Sequence, residues 1–313
     1  MEKMVVTGGA GFIGSNLAEH LLSMGFSVTV IDNLSTGREQ NLSGWSEKAG
    51  KLFQFLRADI NDTDQLQQAF TGVSYVFHLA AIPSVARSIE DPALTQLANI
   101  NGTLSVLTAA REAGVKRVIA ASSSSIYGDE PNLPKKEERV GRCLSPYALS
   151  KFVTEEYCRL FWELYRFEAV ALRYFNVFGP RQDPNSHYAA VIPRFSTRML
   201  AGLPPIVYGD GEQTRDFTFV SNVVDANWKA ATSPNVAGQA FNIGCGLRTS
   251  LNQLIGILNK ILGTQIKPIY ESARQGDVRD SLADIGKART MVGYFPVVSL
   301  EAGLERVVNW HRR

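Results

Sequence analysis

The stretch from Met4 to Asp32 limits what this chain can fold into more than any other part of it. Met4–Thr7 is a short apolar run that reads as a buried strand, and it passes directly into Gly8-Gly9-Ala10-Gly11-Phe12-Ile13-Gly14 and a helical periodicity reaching Met24. Glycines at 8, 11 and 14 permit a tight turn, close approach of backbone to a diphosphate and close packing of helix on strand, while the helix N-terminus adds N–H groups and a favourable dipole. A glycine triplet alone is a weak signal. Here it opens a helix after a strand, and Asp32 follows the next strand-like run, Ser27–Ile31, about 20 residues on, as dinucleotide binding requires. A carboxylate at that place accepts both ribose hydroxyls and repels a 2′-phosphate, so NAD is expected rather than NADP. Gly8, Gly11, Phe12, Ile13, Gly14, Asp32 and Asn33 are the first candidate cofactor residues.

The same rhythm continues. Phe53–Arg57, Tyr75–Leu79, Arg117–Ser122 and Ala169–Tyr174 read as further buried strands, with amphipathic helices expected over Phe12–Met24, Thr63–Phe70, Ala93–Ala113 and Pro146–Tyr165. Strands that are apolar without alternation, separated by helices, imply an α/β fold: a Rossmann-type doubly wound parallel sheet with right-handed crossovers. After Gly179 glycine and proline become frequent and the segments shorten, which suggests a smaller mixed α/β substrate-binding region. At 313 residues two domains fit. The expected division is 1–178 for the NAD-binding domain, with a returning segment near 217–245 that carries a strand at Ala240–Ile243, and 179–216 with 246–313 for the second.

Asp59 and Ile60 follow the third strand where an adenine edge would be read. Leu79, Ala80 and Ala81 end the fourth, with small side chains against which a cofactor can lie. Tyr147 and Lys151 stand at i and i+4 on one helix face, directly after the fifth strand's region. A phenol near pKa 10 is a poor base at neutral pH, but a neighbouring ammonium and a cationic nicotinamide ring both favour the phenolate. Upstream, Ser122-Ser123-Ser124-Ser125 ends the fifth strand, where a hydroxyl can relay a proton between a substrate oxygen and the tyrosine. Four consecutive serines leave its position open.

Charge and cysteine usage exclude other classes. Thirty-two Lys and Arg against 30 Asp and Glu give a net charge of +2, and no basic run exceeds a pair, so the stripe needed for nucleic acid is missing. No stretch reaches the roughly 18 apolar residues of a membrane span, and the first strand begins within the opening residues, so a cytoplasmic protein is expected. Three cysteines, Cys143, Cys158 and Cys245, fit reduced thiols, and the four histidines have no metal-ligand spacing.

The glycine turn, Asp32, the serine run and Tyr147-x-x-x-Lys151 together resemble the extended short-chain dehydrogenase/reductase superfamily. Arg173-Tyr174-Phe175-Asn176, the run Gly209 to Phe217 and Arg274-Gln275-Gly276-Asp277 are similar to motifs of the UDP-glucose 4-epimerase family, with the stretches Arg173–Phe195 and Gly276–Ala288 nearest the UDP-N-acetylglucosamine 4-epimerases. The resemblance implies Ser123 as the catalytic serine with Ser124 as the alternative, Tyr147 as base, Lys151 lowering its pKa and binding the nicotinamide ribose, and Tyr147, Asn99 and Tyr174 lining NAD. It further implies that Asn176 and Val191 contact sugar or phosphate, Tyr208 packs on uracil, Arg215 and Arg274 hold the diphosphate, and Asp277 binds the uridine ribose. Ser281, four residues after Asp277, would close the sugar pocket, and so small a side chain leaves room for a 2-acetamido group. Dehydratases of the superfamily carry an Asp-Glu pair where this chain has Ser124 and Ser125, which disfavours dehydration. UDP-glucuronate epimerisation remains an alternative because of Arg87; a net dehydrogenase or a non-catalytic NAD sensor is less favoured, since the base and its lysine are both present. A homodimer through a four-helix bundle is also implied, with Leu97, Leu104, Leu107, Phe152, Leu160 and Phe161 as its apolar faces.

Overall fold

The computed structural model describes residues 2–184, 190–273 and 279–312. Seven strands, β1 (Lys3–Thr7), β2 (Ser27–Ile31), β3 (Phe53–Leu56), β4 (Tyr75–His78), β5 (Arg117–Ser123), β6 (Glu168–Tyr174) and β7 (Ala240–Ile243), form one sheet in the order β3-β2-β1-β4-β5-β6-β7. Every pairing in it is parallel.

The strands are buried on both faces because helices cover both. Met4, Val6, Val28, Phe77, Ile119 and Leu172 point to one side, against α1 (Phe12–Ser23) and α6 (Val220–Thr232). Val5, Ile31, Val76, Val118 and Ala171 alternate to the other, against α2 (Thr63–Phe70), α3 (Gly102–Glu112) and α4 (Pro146–Tyr165). A third core, from Phe178, Phe195, Phe217, Phe219, Leu254, Leu258 and Val307, is built by α5 (Val191–Leu200), α7 (Leu251–Leu262) and α8 (Leu300–His311). After Thr218–Phe219 pairs with Val177–Phe178, α6 and β7 return the chain to the large sheet, where β7 lies beside β6.

One expectation is refined and one needs correction. The helix expected over Ala93–Ala113 is present but not uniform: Pro92–Thr95 passes without a gap into a π-helical turn over Gln96–Asn101 and on into α3, and Val85–Glu90 forms a separate short helix. The widened turn carries Asn99 inward, where its amide accepts from the Ile82 N–H at 2.8 Å and donates to Ser150 Oγ at 3.0 Å. Leu107 (0% exposed) and Phe161 (5%) face their own sheet, so they cannot serve a dimer face; Leu104 (39%) remains outward, while Leu97 (50%) lines the cavity at the C-terminal edge of the sheet.

Candidate active site

The sheet order reverses between β1 and β4, and the C-terminal ends of strands on either side of that point open a crevice. A cavity of about 480 Å³ fills it, within the range of cofactor sites. Of the expected cofactor residues, Gly8, Gly11, Phe12, Ile13, Gly14, Asp32, Asn33, Asp59, Ile60, Leu79, Ala80, Ala81, Tyr147, Lys151 and Tyr174 line it; Asn99 lies behind, holding the lining residue Ile82.

The turn explains the glycines. Gly8 adopts φ +69°, and a Cβ on it would stand 2.5 Å from the Ala80 nitrogen; a Cβ on Gly14 would overlap the Gly8 carbonyl oxygen. Helix α1 starts at Gly11 with no side-chain cap, so its first N–H groups have no side-chain acceptor and edge the cavity. Asp32 is buried, with Oδ2 accepting from Ala10 N–H at 3.0 Å and Oδ1 from Leu34 N–H at 2.8 Å. Burial raises its pKa and those two bonds oppose the rise. Each oxygen keeps a lone pair for a hydroxyl. Asn33 donates to Asp59 Oδ2 at 2.8 Å, joining the β2 and β3 ends. Uncapped N–H groups, a glycine cradle and a half-satisfied carboxylate fit a dinucleotide.

The proton-transfer groups meet at the end of β5. Pro146 sits in the first turn of α4 and Ser145 caps it, while Ser88 Oγ accepts from Tyr147 N–H at 3.1 Å and fixes the tyrosine's turn. Burial raises the Tyr147 pKa, and a hydrogen bond with Ser123 pulls it down. Lys151 is buried, with Nζ donating to the Ala121 carbonyl at 2.8 Å and lying 6.0 Å from the Tyr147 ring centre. Its burial brings the ammonium pKa down to about 8. Below it His78 is held to about pKa 3, by burial first and by the Lys151 charge second, so it is a neutral bridge between Thr7 and Thr103.

The serine run divides by hydrogen bonding. Ser122 lines the cavity, and its Oγ is engaged by donating to Glu155 at 2.5 Å. Ser123 Oγ accepts from Ser125 N–H at 3.2 Å and is the serine that meets Tyr147; Ser124 begins a 3₁₀ turn, and neither Ser123 nor Ser124 lines the cavity.

Of the residues expected to hold the sugar nucleotide, Asn176, Val191, Tyr208, Arg215 and Ser281 lie outside the cavity lining; Asn176, at φ +32°, donates to the Asp216 carbonyl at 3.1 Å. Arg215 donates to the Thr214 and Arg279 carbonyls, and Ser281 N–H to the Thr214 carbonyl at 3.1 Å, so Arg215 and Ser281 lie on adjacent segments. Val191 opens α5, whose Arg194 guanidinium stands 6.0 Å from the Tyr208 ring. Arg274 and Asp277 lie outside the described residues. Among the described residues, no group of three or more His, Cys, Asp or Glu is placed to hold a metal.

Residues 4–244 match the model of the NAD dependent epimerase/dehydratase family. The chain belongs to this family. The UDP-glucose 4-epimerase of Mycolicibacterium smegmatis is 39% identical over 317 residues, covering 99% of this chain and 98% of that relative. A UDP-N-acetylglucosamine 4-epimerase from Methanobrevibacter ruminantium M1, solved with UDP-N-acetylmuramic acid, has a TM-score of 0.94 at 40% identity over 99% of this chain and 98% of that one. A UDP-glucuronic acid 4-epimerase from Bacillus cereus, solved with UDP-glucuronic acid and NAD, has a TM-score of 0.90 at 34% identity over 99% of each chain.

In this NAD-dependent epimerase/dehydratase chain the cavity has a wall that the glycine fingerprint does not announce. Ser35, Thr36, Arg38 and Asn41 line it from the loop after β2, and Arg181, Gln182 and Asp183 from the loop after β6. An Arg38–Asp183 ion pair joins the two loops. The small polar tract Asn33-Leu34-Ser35-Thr36-Gly37 was a readable signal, since a Cβ on Gly37 would press on the Asp32 carboxylate at 2.7 Å. For Ser88 and Arg181 nothing local in the sequence points to the site.

Proposed function

We propose that the chain catalyses C4 epimerisation of a UDP-hexose through a 4-keto intermediate, acting on UDP-glucose and UDP-galactose and on their 2-acetamido counterparts. One observation carries the reading: Tyr147 and Lys151, with the ammonium 6.0 Å from the phenol ring centre, both line the dinucleotide cavity. Similarity over the full length to UDP-sugar 4-epimerases supports it. NAD, when bound, supplies the hydride acceptor and donor. Asp32 holds the adenosine ribose and excludes a 2′-phosphate. Tyr147 takes the proton of the C4 hydroxyl through Ser123, and Lys151 stabilises the phenolate. Arg215, with Arg274, anchors the diphosphate while the 4-keto sugar turns over to offer the opposite face of C4 for the returning hydride, and Tyr147 gives the proton back to the C4 oxygen. Ser281 leaves space for an acetamido group.

On the same reading, 1–178 with 217–245 serve as the cofactor domain and 179–216 with 246–313 as the UDP-sugar domain, and the chain works as a homodimer in which Leu104 packs against a second copy. A reducing cytosol suits its three free cysteines. UDP-glucuronate is the second reading, because Arg87 lines the cavity and can pair a sugar carboxylate. The test is incubation of the purified protein with UDP-galactose, UDP-GalNAc and UDP-galacturonate without added NAD, with products resolved chromatographically. Conversion of the first two supports the reading. Conversion of the third alone selects the alternative, and residual turnover by Tyr147→Phe above about 1% of wild type removes the assigned base.

A further inference from the structure

Resting on that reading of the sugar side, we propose that Asp216 is a positioning residue for the UDP-sugar: its carboxylate joins the segments that present Asn176, Arg215 and Ser281. Asp216 is 0% exposed. Its Oδ1 accepts from Cys245 N–H at 2.8 Å, and its Oδ2 from Gly246 N–H at 2.9 Å and Ala283 N–H at 3.1 Å. Its own carbonyl accepts the Asn176 amide at 3.1 Å.

These donors come from separate parts of the chain. Cys245 and Gly246 follow β7 of the large sheet, so they tie the carboxylate to the cofactor-side scaffold. Ala283 lies two residues after Ser281 and is itself buried, and its segment is clasped from the other side, where Lys135 N–H donates to the Leu282 carbonyl at 2.7 Å and Asp284 N–H to the Lys135 carbonyl at 2.9 Å. Arg215 is the covalent neighbour of Asp216. A shift of this carboxylate therefore moves the diphosphate arginine, the Asn176 amide and the sugar-pocket serine relative to the sheet. An apolar side chain of the same size offers no acceptor for backbone N–H groups from two loops and would leave them unpaired in the interior. The joint is also tight: a Cβ on Gly244 would stand 2.7 Å from the Ala283 Cβ and 2.9 Å from Asp216 Oδ2. Burial lifts the pKa of this acid to about 6 against the pull of the backbone N–H groups, so at neutral pH it is held ionised by those donors.

Two variants of the full-length, NAD-loaded protein test this from opposite sides. Asp216→Asn keeps the shape and removes the charge, while Gly244→Ala wedges the joint and leaves every hydrogen-bonding group in place. KM and kcat are measured on whichever UDP-hexose the wild type converts, with UDP affinity by calorimetry, NAD content by absorbance and melting temperature alongside. Both variants are expected to raise KM and the UDP dissociation constant about tenfold, with kcat within about threefold and NAD retained. A folded, NAD-loaded variant whose KM and UDP affinity stay within about twofold of wild type overturns the proposal, as does a fall in kcat at unchanged KM. Gly244→Ala alone decides if Asp216→Asn does not fold. A wild type that neither binds UDP nor epimerises overturns instead the reading on which the proposal rests.

Discussion

Replacing Lys151 by Met separates the electrostatic role of that lysine from any scaffolding role. The ammonium lies 6.0 Å from the Tyr147 ring centre. At about 6 Å and an effective dielectric of about 20, two unit charges interact by about 3 kcal/mol, equivalent to about two pKa units. Burial already places the Tyr147 phenol above its ordinary value, so losing the ammonium moves it further from neutrality. The phenolate fraction, and with it the rate at pH 7, is expected to fall about 100-fold. The variant should regain about tenfold per pH unit, while the wild type stops rising near pH 8, where its own lysine loses the proton.

Stability should not follow activity in this variant. The folded pKa of Lys151 is lowered to about 8 from 10.5, so its contribution to stability is present above the unfolded value and lost as pH falls through about 8; at pH 7 the buried ammonium costs about 3 kcal/mol. Met removes that cost together with the bond to the Ala121 carbonyl, worth about 1.5–3 kcal/mol, so the net change should lie within about 2 kcal/mol. Initial rates from pH 6 to 9.5, normalised to bound NAD, and thermal melts at pH 7 provide the comparison. A deficit equal at every pH, or one below about tenfold at pH 7 with NAD retained, would refute the electrostatic argument.

Ser123→Ala should lower kcat by about 100-fold, whereas Ser122→Ala should leave kcat within about threefold and cost about 1–3 kcal/mol in denaturant unfolding, because it leaves a buried Glu155 oxygen short of a donor. Ser281→Tyr should remove turnover of UDP-GalNAc and spare that of UDP-galactose, with equal loss of both refuting the pocket-size argument. Leu104→Glu combined with Leu160→Glu should halve the mass seen by light scattering at micromolar concentration while NAD content is kept; an unchanged mass would place the dimer contact elsewhere or remove it.

The large sheet was legible because both of its faces are covered. Val5 and Val6 enter different cores, so β1 shows no polar side and reads as a continuous apolar run. The π-helical turn at Gln96–Asn101 was not legible, since Leu97 and Leu104 recur at a spacing that a regular helix also satisfies; the widened turn goes with the tertiary partners of Asn99. The glycine turn and Tyr147-x-x-x-Lys151 could be read because backbone geometry and a one-turn spacing are local properties. Distinguishing Ser123 from Ser122 was beyond local reasoning, for it depends on Glu155, 33 residues away in sequence. Arg181 reaches the cavity wall from the loop after β6 through tertiary packing, which no periodicity encodes.

The same Glu155 shows how the proton-transfer helix and the sugar pocket come to share one frame. Its carboxylate takes a bidentate pair from Arg173, at 2.8 and 2.7 Å, with both side chains buried. Arg173 continues to the Tyr127 hydroxyl at 2.9 Å, Tyr127 donates to Asn242 at 2.6 Å, and the Asn242 amide donates to the Lys135 and Asp284 carbonyls. The path starts one turn beyond Lys151 on α4 and ends three residues after Ser281. Buried ion pairs of this kind are poor sources of net stability, because desolvation offsets the Coulombic gain, and an apolar core of equal volume would hold the domains together at least as well. What apolar packing lacks is direction: a bidentate guanidinium pair followed by a phenol and an amide admits few alternative registers. If the proposed epimerisation holds, an enzyme that must keep the Tyr147 oxygen in register with the segment carrying Ser281 gains more from that directional constraint than from a larger core.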